Sequence, residues 1–328
     1  MSSPPTPSAR LRIAVLDDYQ HAALGSADFG VLAGIADIVV FADHVGDPDQ
    51  LALRLAGFPV IIAMRERTAF SAGVLDRLPD LRLLITTGMA NASIDVQHAR
   101  LLGIDVCGTA IGGTATQELV WALIMALARH IPTEDAGVRA GSWQTTLGRE
   151  LAGSTLGLLG LGRIGSSVAA FGHAFDMHVI AWSENLTPAR VQEHGAELVT
   201  KHDLFARSDI VSIHVRESPR TVGLVGTQEL DLLGPNGLLV NTSRGPIVDE
   251  AALVAALHEG RIAGAALDVY DVEPLPPGHP LLTAPNTVLT PHIGYVSAST
   301  YARMYADAID DVLAWVAGAP VRLLNGGT

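Results

Sequence analysis

Short apolar runs, many of them rich in β-branched residues, alternate with helical patterns along the whole chain. Four runs come first: RIAVLDD, ADIVVFA, PVIIAM and LRLLITT. Six more follow: STLGLLG, MHVIAWS, DIVSIHV, NGLLVNTS, IAGAALDVY and NTVLT. Alternation of this kind is typical of parallel sheets covered by helices. The pattern therefore predicts an α/β protein with two doubly wound parallel sheets.

The runs fall into two sets, which indicates two domains. The first four runs and GIDVC, at residues 103–107, close before an apolar helical stretch at about 114–130. The second set begins near residue 153. A helical segment at 297–318 follows the last run, and the pattern leaves open whether it returns to the first domain. With 328 residues and 48% hydrophobic content, the chain has material for a core in each domain.

Composition and charge narrow the classes of function. The longest apolar run, LVWALIMALA at 119–128, is shorter than the ~20 residues that span a bilayer, so we predict a buried helix. The net charge of −13 and the scattered Lys and Arg disfavour nucleic-acid binding. Residues 1–9 carry no basic segment leading into an apolar stretch, so export is not expected. The single Cys107 fits a reducing cytoplasm, and with neither a Cys pair nor H-x-x-x-H we predict no metal site.

A glycine pattern indicates a dinucleotide site. TLGLLGLGRIGSSVA contains Gly160, Gly162 and Gly165 in G-x-G-x-x-G spacing, between a predicted strand and a helix-compatible stretch. Glycines at this spacing permit a tight turn, let backbone N–H groups approach a pyrophosphate and seat the helix against the strand. We expect this turn, including Arg163 and Ile164, to bind a nicotinamide dinucleotide. The alternative is an ordinary strand-to-helix turn.

The end of the next run bears on the choice between NAD and NADP. About 20 residues past the glycines, NAD-binding folds usually place an acidic residue for the ribose hydroxyls. This chain has Ser183 there, followed by Glu184, whose charge would repel a 2′-phosphate. NAD is therefore the expected cofactor. NADP stays open, and Arg190 is the nearest cation that would reverse the choice.

Polar residues follow several later runs at the point where each strand should end. LLVNTSRG contains Thr242 and Arg244, GAALDVYDVEP contains Asp268 and Glu273, and NTVLTPH ends on His292. Ligands of open parallel sheets bind beyond the carboxyl ends of the strands, so these residues would converge on one cleft. Each alone has an ordinary explanation, such as a surface arginine or a core histidine. Only their joint placement predicts a site.

Four segments together resemble the D-isomer-specific 2-hydroxyacid dehydrogenases, the family of phosphoglycerate dehydrogenase and glyoxylate/hydroxypyruvate reductase. The segments are LLGLGRIG, VNTSRGPIVDEAAL, GAALDVYDVEP and LTPHIG. The resemblance covers nearly the whole chain and is strongest over 153–296. It implies a discontinuous, flavodoxin-like substrate domain over 1–107 and 297–328, and a Rossmann-type dinucleotide-binding domain over 108–296. It also implies a homodimer formed through the nucleotide domain.

The resemblance assigns roles to three residues in the oxidation or reduction of a small D-2-hydroxy or 2-oxo acid. It implies that Arg244 holds the substrate's carboxylate and carbonyl, that Glu273 pairs with His292, and that His292 is the acid/base. The chemistry agrees, because a guanidinium fork binds two oxygens at once and an imidazole exchanges protons near neutral pH. Glu273 would also fix the histidine tautomer and favour the imidazolium.

Substrate contacts in the first domain follow from the same resemblance. TTGMANASID corresponds to a loop whose backbone amides near Gly88, Met89 and Ala90 receive the substrate carboxylate. Within this loop, the segment MANAS differs from the Gly-Val-rich sequence that is usual in the family. Arg65 follows a strand of the first domain and is a further candidate for substrate contact, with a surface arginine as the alternative.

Three more residues are candidates for cofactor contact. His214, at the end of DIVSIH, faces the nucleotide side of the cofactor in the family pattern, and a structural strand-end histidine is the alternative. Thr242 is expected at the cofactor. Asp268 is expected beside the nicotinamide, or as a residue that sets the environment of His292.

Two other functions share these motifs. A formate- or phosphite-type oxidoreductase would have the same fold, but formate enzymes carry Gln in the role of Glu273, so the acid here counts against formate. A nicotinamide-sensing binding protein, akin to the C-terminal-binding-protein co-repressors, would keep the same three residues. Turnover of NADH with 2-oxo acids distinguishes an enzyme from a sensor.

Overall fold

The computed structural model describes residues 10–110 and 112–326. These residues form the strands β1 (Leu11–Val15), β2 (Ala36–Val40), β3 (Val60–Ala63), β4 (Leu83–Thr86), β5 (Asp105–Gly108), β6 (Thr155–Leu159), β7 (His178–Trp182), β8 (Glu197–Leu198), β9 (Ile210–Ile213), β10 (Leu238–Asn241), β11 (Gly264–Leu267) and β12 (Thr287–Leu289). The α-helices are α1 (Ala23–Ser26), α2 (Pro48–Leu55), α3 (Ala72–Leu75), α4 (Val96–Leu101), α5 (Ala115–Ala128), α6 (Ile131–Arg139), α7 (Arg163–Ala174), α8 (Pro188–Glu193), α9 (Lys201–Arg207), α10 (Thr227–Leu233), α11 (Glu250–His258) and α12 (Ala298–Val316). Short 3₁₀ helices lie at Phe29–Leu32, Gly245–Ile247 and Pro280–Thr283.

The chain divides into two compact units. Unit 1 comprises the residues up to Gly113 together with those from Val296 onwards, and unit 2 comprises Thr114–Tyr295. The family resemblance implied a substrate domain over 1–107 and 297–328 and a dinucleotide-binding domain over 108–296. These functions of the two units stay predictions.

Unit 1 contains a five-stranded parallel sheet in the order β2-β1-β3-β4-β5. This is the flavodoxin-like order, in which the direction of winding reverses between β1 and β3. Every residue of β3 and β4 is buried, as expected for parallel strands covered on both faces. A side-chain cap starts α2, where the Asp47 side chain accepts from the N–H groups of Asp49 and Gln50.

The last helix, α12, belongs to unit 1, which answers the question that the sequence pattern left open. Its N-terminus is capped by the Ser297 side chain, and the helix packs against α1 and β4. The segment after α12 then runs antiparallel beside β5, where Leu323 pairs with Cys107 and the Leu324 N–H donates to the Val106 carbonyl at 2.7 Å. Unit 1 is therefore built from both ends of the chain.

Unit 2 contains a seven-stranded parallel sheet in the order β12-β11-β10-β9-β6-β7-β8. The order reverses between β6 and β9, and this switch point is where doubly wound sheets bind dinucleotides. β8 was not predicted, because its two residues are too short for a hydrophobic pattern to register. The predicted fold class, two α/β domains with parallel sheets, is confirmed.

Two hydrophobic clusters cover the two faces of the unit 2 sheet. Leu239 lies in the cluster formed with α9, α10 and α11, whereas the next residue, Val240, lies in the cluster formed with α5, α7 and α8. Successive strand residues point to opposite faces, so these clusters lie on opposite sides. The predicted apolar helix is α5, whose Val120 and Ile124 are fully buried. No helix within the described ranges combines the length and apolar composition that crossing a bilayer requires.

Candidate active site

The candidate site of unit 2 lies at the carboxyl ends of four neighbouring strands. β9, β10, β11 and β12 are consecutive in the sheet, and all four run in the same direction. His214 follows β9, Arg244 lies three residues after β10, Asp268 follows β11, and His292 lies three residues after β12. Because parallel strands end at the same edge, these residues share one edge of the sheet.

Glu273 and His292 form a direct contact at this edge. The His292 Nδ1 lies 2.6 Å from the Glu273 Oε2, and the Tyr270 N–H donates to the Glu273 Oε1 at 3.0 Å. The His292 ring also meets the Tyr295 ring edge-on, with centroids 5.7 Å apart. With Nδ1 committed to the carboxylate, Nε2 is the nitrogen suited to exchange a proton with a ligand.

His292 is accessible and is held in an uncommon backbone conformation. Its side chain is 21% exposed, so solvent or a small ligand reaches the ring. Its φ is +52°, in the left-handed region, where a non-glycine residue persists only when its surroundings impose the conformation. The residues that impose it lie around Asp268.

Asp268 holds the segment that carries His292. Its carboxylate accepts from the Thr290 hydroxyl at 2.6 Å and from the N–H groups of Ile293 and Gly294, each at 2.8 Å. The side chain is only 1% exposed, and burial raises the pKa of Asp268 although these hydrogen bonds favour the charged form. Asp268 thus brackets His292 on both sides along the chain, which fits the second of its two predicted roles.

Arg244 is positioned by an asparagine that the sequence reasoning missed. The Asn241 Nδ2 donates to the Arg244 carbonyl at 2.9 Å, and the Asn241 Oδ1 accepts from the Ser243 N–H at 3.0 Å. The Arg244 Nη1 donates to the Ser243 carbonyl at 2.7 Å. Asn241 ends β10, so the strand-end rule that selected Arg244 and His292 also had the information to select Asn241.

Gly245 brings the loop of Arg244 against the loop of Glu273. A Cβ at residue 245 would lie 2.1 Å from the carbonyl carbon of Tyr270 and 2.2 Å from its oxygen. Only glycine allows this approach, because the obstructing atoms are backbone. Tyr270 in turn has its hydroxyl 2.9 Å from the Thr290 carbonyl, next to the His292 segment. The structure therefore brings together the loops that carry Arg244, Glu273 and His292.

The glycine-rich turn after β6 has the features of a dinucleotide cradle. Gly160 has a φ of +104°, and a Cβ at Gly165 would lie 2.2 Å from the Gly160 carbonyl oxygen. The turn leads into α7, which begins at Arg163 and presents its N-terminal N–H groups there. Ile164 packs against the core beneath the turn. These residues fit a pyrophosphate that approaches the backbone closely.

Two unsatisfied buried groups lie at the same edge of the sheet as this cradle. The His214 Nε2 and the Thr242 Oγ1 are buried and have no hydrogen-bond partner among the described residues. Burial lowers the pKa of His214 to about 4, so its ring is neutral at pH 7. A Cβ at Gly160 would lie 2.9 Å from the His214 backbone, which places this histidine at the cradle. Such orphaned polar atoms fit a site that a polar ligand completes.

The residues that were predicted to contact the ribose of the cofactor, Ser183 and Glu184, follow β7. Ser183 follows the strand directly and is partly buried, whereas Glu184 is exposed. The Arg190 Nη1 pairs with Glu193 at 2.9 Å, and its Nε lies 3.4 Å from the Leu161 carbonyl of the glycine turn. Arg190 thus reaches the cradle but is paired with a carboxylate.

The substrate-side candidates lie in unit 1. Arg65 follows β3 and has a φ of +51°, and its Nη1 donates to the Thr87 carbonyl at 3.1 Å. Gly88 already donates its N–H to the Thr109 hydroxyl at 2.9 Å, so its amide is occupied within the protein. Of the three residues whose amides were predicted to receive the carboxylate, Met89, which is 50% exposed, and Ala90 face solvent. No cluster of three or more His, Cys, Asp or Glu in residues 10–110 and 112–326 is arranged to hold a metal ion.

A family model and the sequences of curated proteins point to the same family. The family model for the NAD-binding domain of the D-isomer specific 2-hydroxyacid dehydrogenases matches residues 121–294. A glyoxylate reductase of Aeropyrum pernix is 43% identical over 263 residues, covering 77% of this chain and 78% of that protein. A D-3-phosphoglycerate dehydrogenase of Archaeoglobus fulgidus is 36% identical over 80% of this chain, which spans 50% of that protein.

A solved structure agrees over nearly the full length. The phosphoglycerate oxidoreductase of Vibrio cholerae superposes with a TM-score of 0.90 at 37% identity, covering 94% of this chain and 100% of that one. The match includes the parts of the chain that lie outside the NAD-binding family model. With a family model that matches more than half of its residues and a relative 43% identical over most of its length, the chain belongs to the D-isomer-specific 2-hydroxyacid dehydrogenase family.

Proposed function

We propose that the protein transfers a hydride between a nicotinamide cofactor and C2 of a small D-2-hydroxy acid or 2-oxo acid, with His292 as the acid/base. The observation that carries this proposal is the Glu273–His292 contact of 2.6 Å, beside the loop of Arg244, at the ligand-binding edge of the sheet. The chemistry that a nicotinamide supplies when bound is hydride transfer to or from the carbon.

Arg244 is proposed to bind and orient the substrate. Its guanidinium is planar and permanently charged, so it binds a carboxylate oxygen and the neighbouring carbonyl oxygen together. Negative charge grows on the carbonyl oxygen during reduction, and a fixed cation stabilises that charge. Asn241 supports this role because it fixes the backbone at Arg244.

His292 is proposed to give the proton that completes reduction and to take it back in oxidation. The proton would move from Nε2 to the carbonyl oxygen, while Nδ1 remains bonded to Glu273. The carboxylate stabilises the imidazolium before transfer and keeps the ring in one tautomer afterwards. In unit 1, we propose that Arg65 and the amides of Met89 and Ala90 contact the substrate.

NAD is the cofactor that we propose. Glu184 supplies a negative charge after β7, where a 2′-phosphate would have to bind, and Arg190 is paired with Glu193 at 2.9 Å. Fluorescence titration with NADH and with NADPH tests this choice, and we expect tighter binding of NADH. Tighter binding of NADPH, weakened selectively by Arg190→Ala, would reverse the assignment.

The decisive experiment is a panel of 2-oxo acids. Oxidation of NADH and NADPH should be followed with glyoxylate, hydroxypyruvate, 3-phosphohydroxypyruvate, pyruvate and bulkier oxo acids. We expect Arg244→Ala and His292→Ala each to lower kcat by about two orders of magnitude or more, because charge stabilisation or the proton donor is lost. Cofactor binding should persist in both variants. Near-wild-type turnover in either would remove that residue from its role.

The panel also separates the rival functions. A nicotinamide-sensing protein would bind NADH and show negligible turnover with every oxo acid. A formate- or phosphite-type enzyme would instead reduce NAD with formate or phosphite. The acid at residue 273 counts against formate, because formate enzymes carry Gln in this role.

We further propose that the protein is a homodimer formed through unit 2. The segment between α6 and β6 exposes Trp143, which is 77% exposed, and Leu147, which is 94% exposed. Glu134 fixes this segment by accepting from the N–H of Thr145 at 3.1 Å, from the N–H of Thr146 at 2.6 Å and from both hydroxyls. An ordered segment that presents large apolar side chains to solvent supports an interaction surface.

The dimer proposal is tested by changing both apolar side chains together. Trp143→Ser combined with Leu147→Asp should shift the protein to monomer in analytical ultracentrifugation, because a charge and a smaller side chain replace apolar contact area. Leu101→Asp is the matched control, since Leu101 is 84% exposed on α4 in unit 1. A double variant that keeps the wild-type sedimentation behaviour would contradict the proposal.

A further inference from the structure

Two loops of unit 1 follow neighbouring strands and carry its substrate-side candidates. Arg65 lies two residues after β3, and Gly88–Ala90 lie just after β4. The two strands pair in parallel, with Ala63 opposite Thr86, so the loops leave the sheet side by side. Beyond the last strand pair, the distance between the two loops is set by side-chain contacts between them.

Asn91 connects the two loops. Its Nδ2 donates to the Arg65 carbonyl at 2.6 Å and to the Thr86 hydroxyl at 2.9 Å, while its Oδ1 accepts from the Ser93 N–H at 2.8 Å. The side chain is only 8% exposed, so these bonds lie largely out of water. The reverse amide orientation would place oxygen against the Arg65 carbonyl and nitrogen against the Ser93 N–H. The donor thus has to face Arg65.

Arg65 is held by the second loop at its backbone and at its guanidinium. Its N–H donates to the Thr87 hydroxyl at 2.9 Å, and its Nη1 donates to the Thr87 carbonyl at 3.1 Å. Its φ of +51° is a conformation that a side-chain-bearing residue keeps only when neighbours impose it. Asn91 supplies one of these constraints through the Arg65 carbonyl.

An apolar side chain at residue 91 would leave the Arg65 carbonyl and the Thr86 hydroxyl without this donor. The connection between the two loops therefore depends on a polar side chain at this position.

We propose that Asn91 is a positioning residue that fixes the spacing between Arg65 and the amides of Met89 and Ala90, and thereby sets the affinity for the 2-oxo acid. The inference rests on the proposed function, because these groups matter only if the substrate contacts them. Asn91 acts through its neighbours and does not touch the reacting atoms. Its loss should consequently affect KM for the oxo acid far more than kcat or cofactor affinity.

Asn91→Leu and Asn91→Asp test this role. Leucine is close in size and removes all three bonds, whereas aspartate keeps the shape and the acceptor but places a carboxylate oxygen against the Arg65 carbonyl. We expect KM for the best 2-oxo acid of the panel to rise about tenfold or more in both variants, as for a buried polar group left without its partner. The Kd for NADH and kcat should each change less than about threefold.

Asn325→Leu is the matched control. The Asn325 side chain also bonds two backbone groups of unit 1, donating to the Ile104 carbonyl at 2.7 Å and accepting from the Val106 N–H at 3.0 Å. It lies on the β5 side of the sheet, away from Arg65 in the strand order. This variant should lower the melting temperature and leave KM unchanged.

The outcomes separate this inference from the proposed function. A wild-type protein without turnover on any 2-oxo acid would overturn both. Turnover in the wild type with unchanged KM in the Asn91 variants, or an equal rise of KM in Asn325→Leu, would overturn this inference alone. If the leucine variant does not fold, Asn91→Asp decides by the same comparison of KM with the Kd for NADH.

Discussion

At the scale of single residues, the site depends on charges held at short range. Glu273 contacts His292 at 2.6 Å, and its other oxygen accepts from the Tyr270 N–H. The strand-end pattern and the family resemblance were sufficient to pick Glu273 and His292 from the sequence. Asn91 was missed, because the Arg65 carbonyl becomes its neighbour only after folding. Asn241 bonds Ser243 and Arg244 within its own loop, and the strand-end rule could have selected it.

The charge of Glu273 should be visible in the rate of reduction. Glu273→Gln keeps the shape but removes the negative charge beside the His292 Nδ1, so the imidazolium that donates the proton loses its partner and kcat should fall about tenfold or more. Steady-state oxidation of NADH with the best oxo acid of the panel measures this fall. Glu250→Gln is the control, because Glu250 pairs with His279 at 2.9 Å in the same unit. Equal kcat values for Glu273→Gln and wild type would argue against the pairing.

At the scale of elements, contacts between loops decide whether the site forms. Eleven strands within the described residues were predictable, because their apolar runs of three to five residues are visible in the pattern. β8 was not, since it has two residues. The close approach of Gly245 to Tyr270 was also beyond the sequence, because the loops involved are 25 residues apart and meet only in the folded sheet.

Gly245→Ala should therefore impair the site without unfolding the protein. Its Cβ would meet the Tyr270 carbonyl group at 2.1 Å and 2.2 Å, so the loops of Arg244 and Glu273 would have to move apart. Overpacking of this kind costs about 1–3 kcal/mol, and we expect kcat/KM to fall about tenfold or more. Gly73→Ala is the control, because a Cβ there meets no atom within 4 Å. Equal kcat/KM values in the two variants would contradict the expectation.

At the scale of the whole molecule, the last segment of the chain completes unit 1. The sequence showed a helix after the last strand but left its destination open, because helical periodicity says nothing about which sheet a helix covers. In the structure, Asp311 of α12 is fully buried, and the Arg322 Nε donates to it at 3.0 Å. The Asp311 Oδ2 has no hydrogen-bond partner among the described residues.

Asp311 should make stability depend on pH. Burial, together with the nearby Asp307 and Asp310, raises the pKa of Asp311 from 3.8 to about 7, although Arg322 opposes the shift. Since the folded state favours the protonated form, this contribution to the free energy of unfolding is fully present below pH 3.8 and is lost as the pH rises through about 7. Urea unfolding should show wild type losing roughly 1–2 kcal/mol relative to Asp311→Asn between pH 5.5 and 8. Parallel pH dependences would contradict this assignment.

The pairing of residues 322–324 with β5 has a consequence for how the protein behaves among its own copies. The Gly108 N–H donates to the Arg322 carbonyl at 3.0 Å, and the Leu324 N–H donates to the Val106 carbonyl. These hydrogen bonds satisfy backbone groups on the outer edge of β5. An unpaired strand edge can pair with a strand of another molecule and so start aggregation. Residues 322–324 therefore protect this edge from pairing with a neighbouring copy.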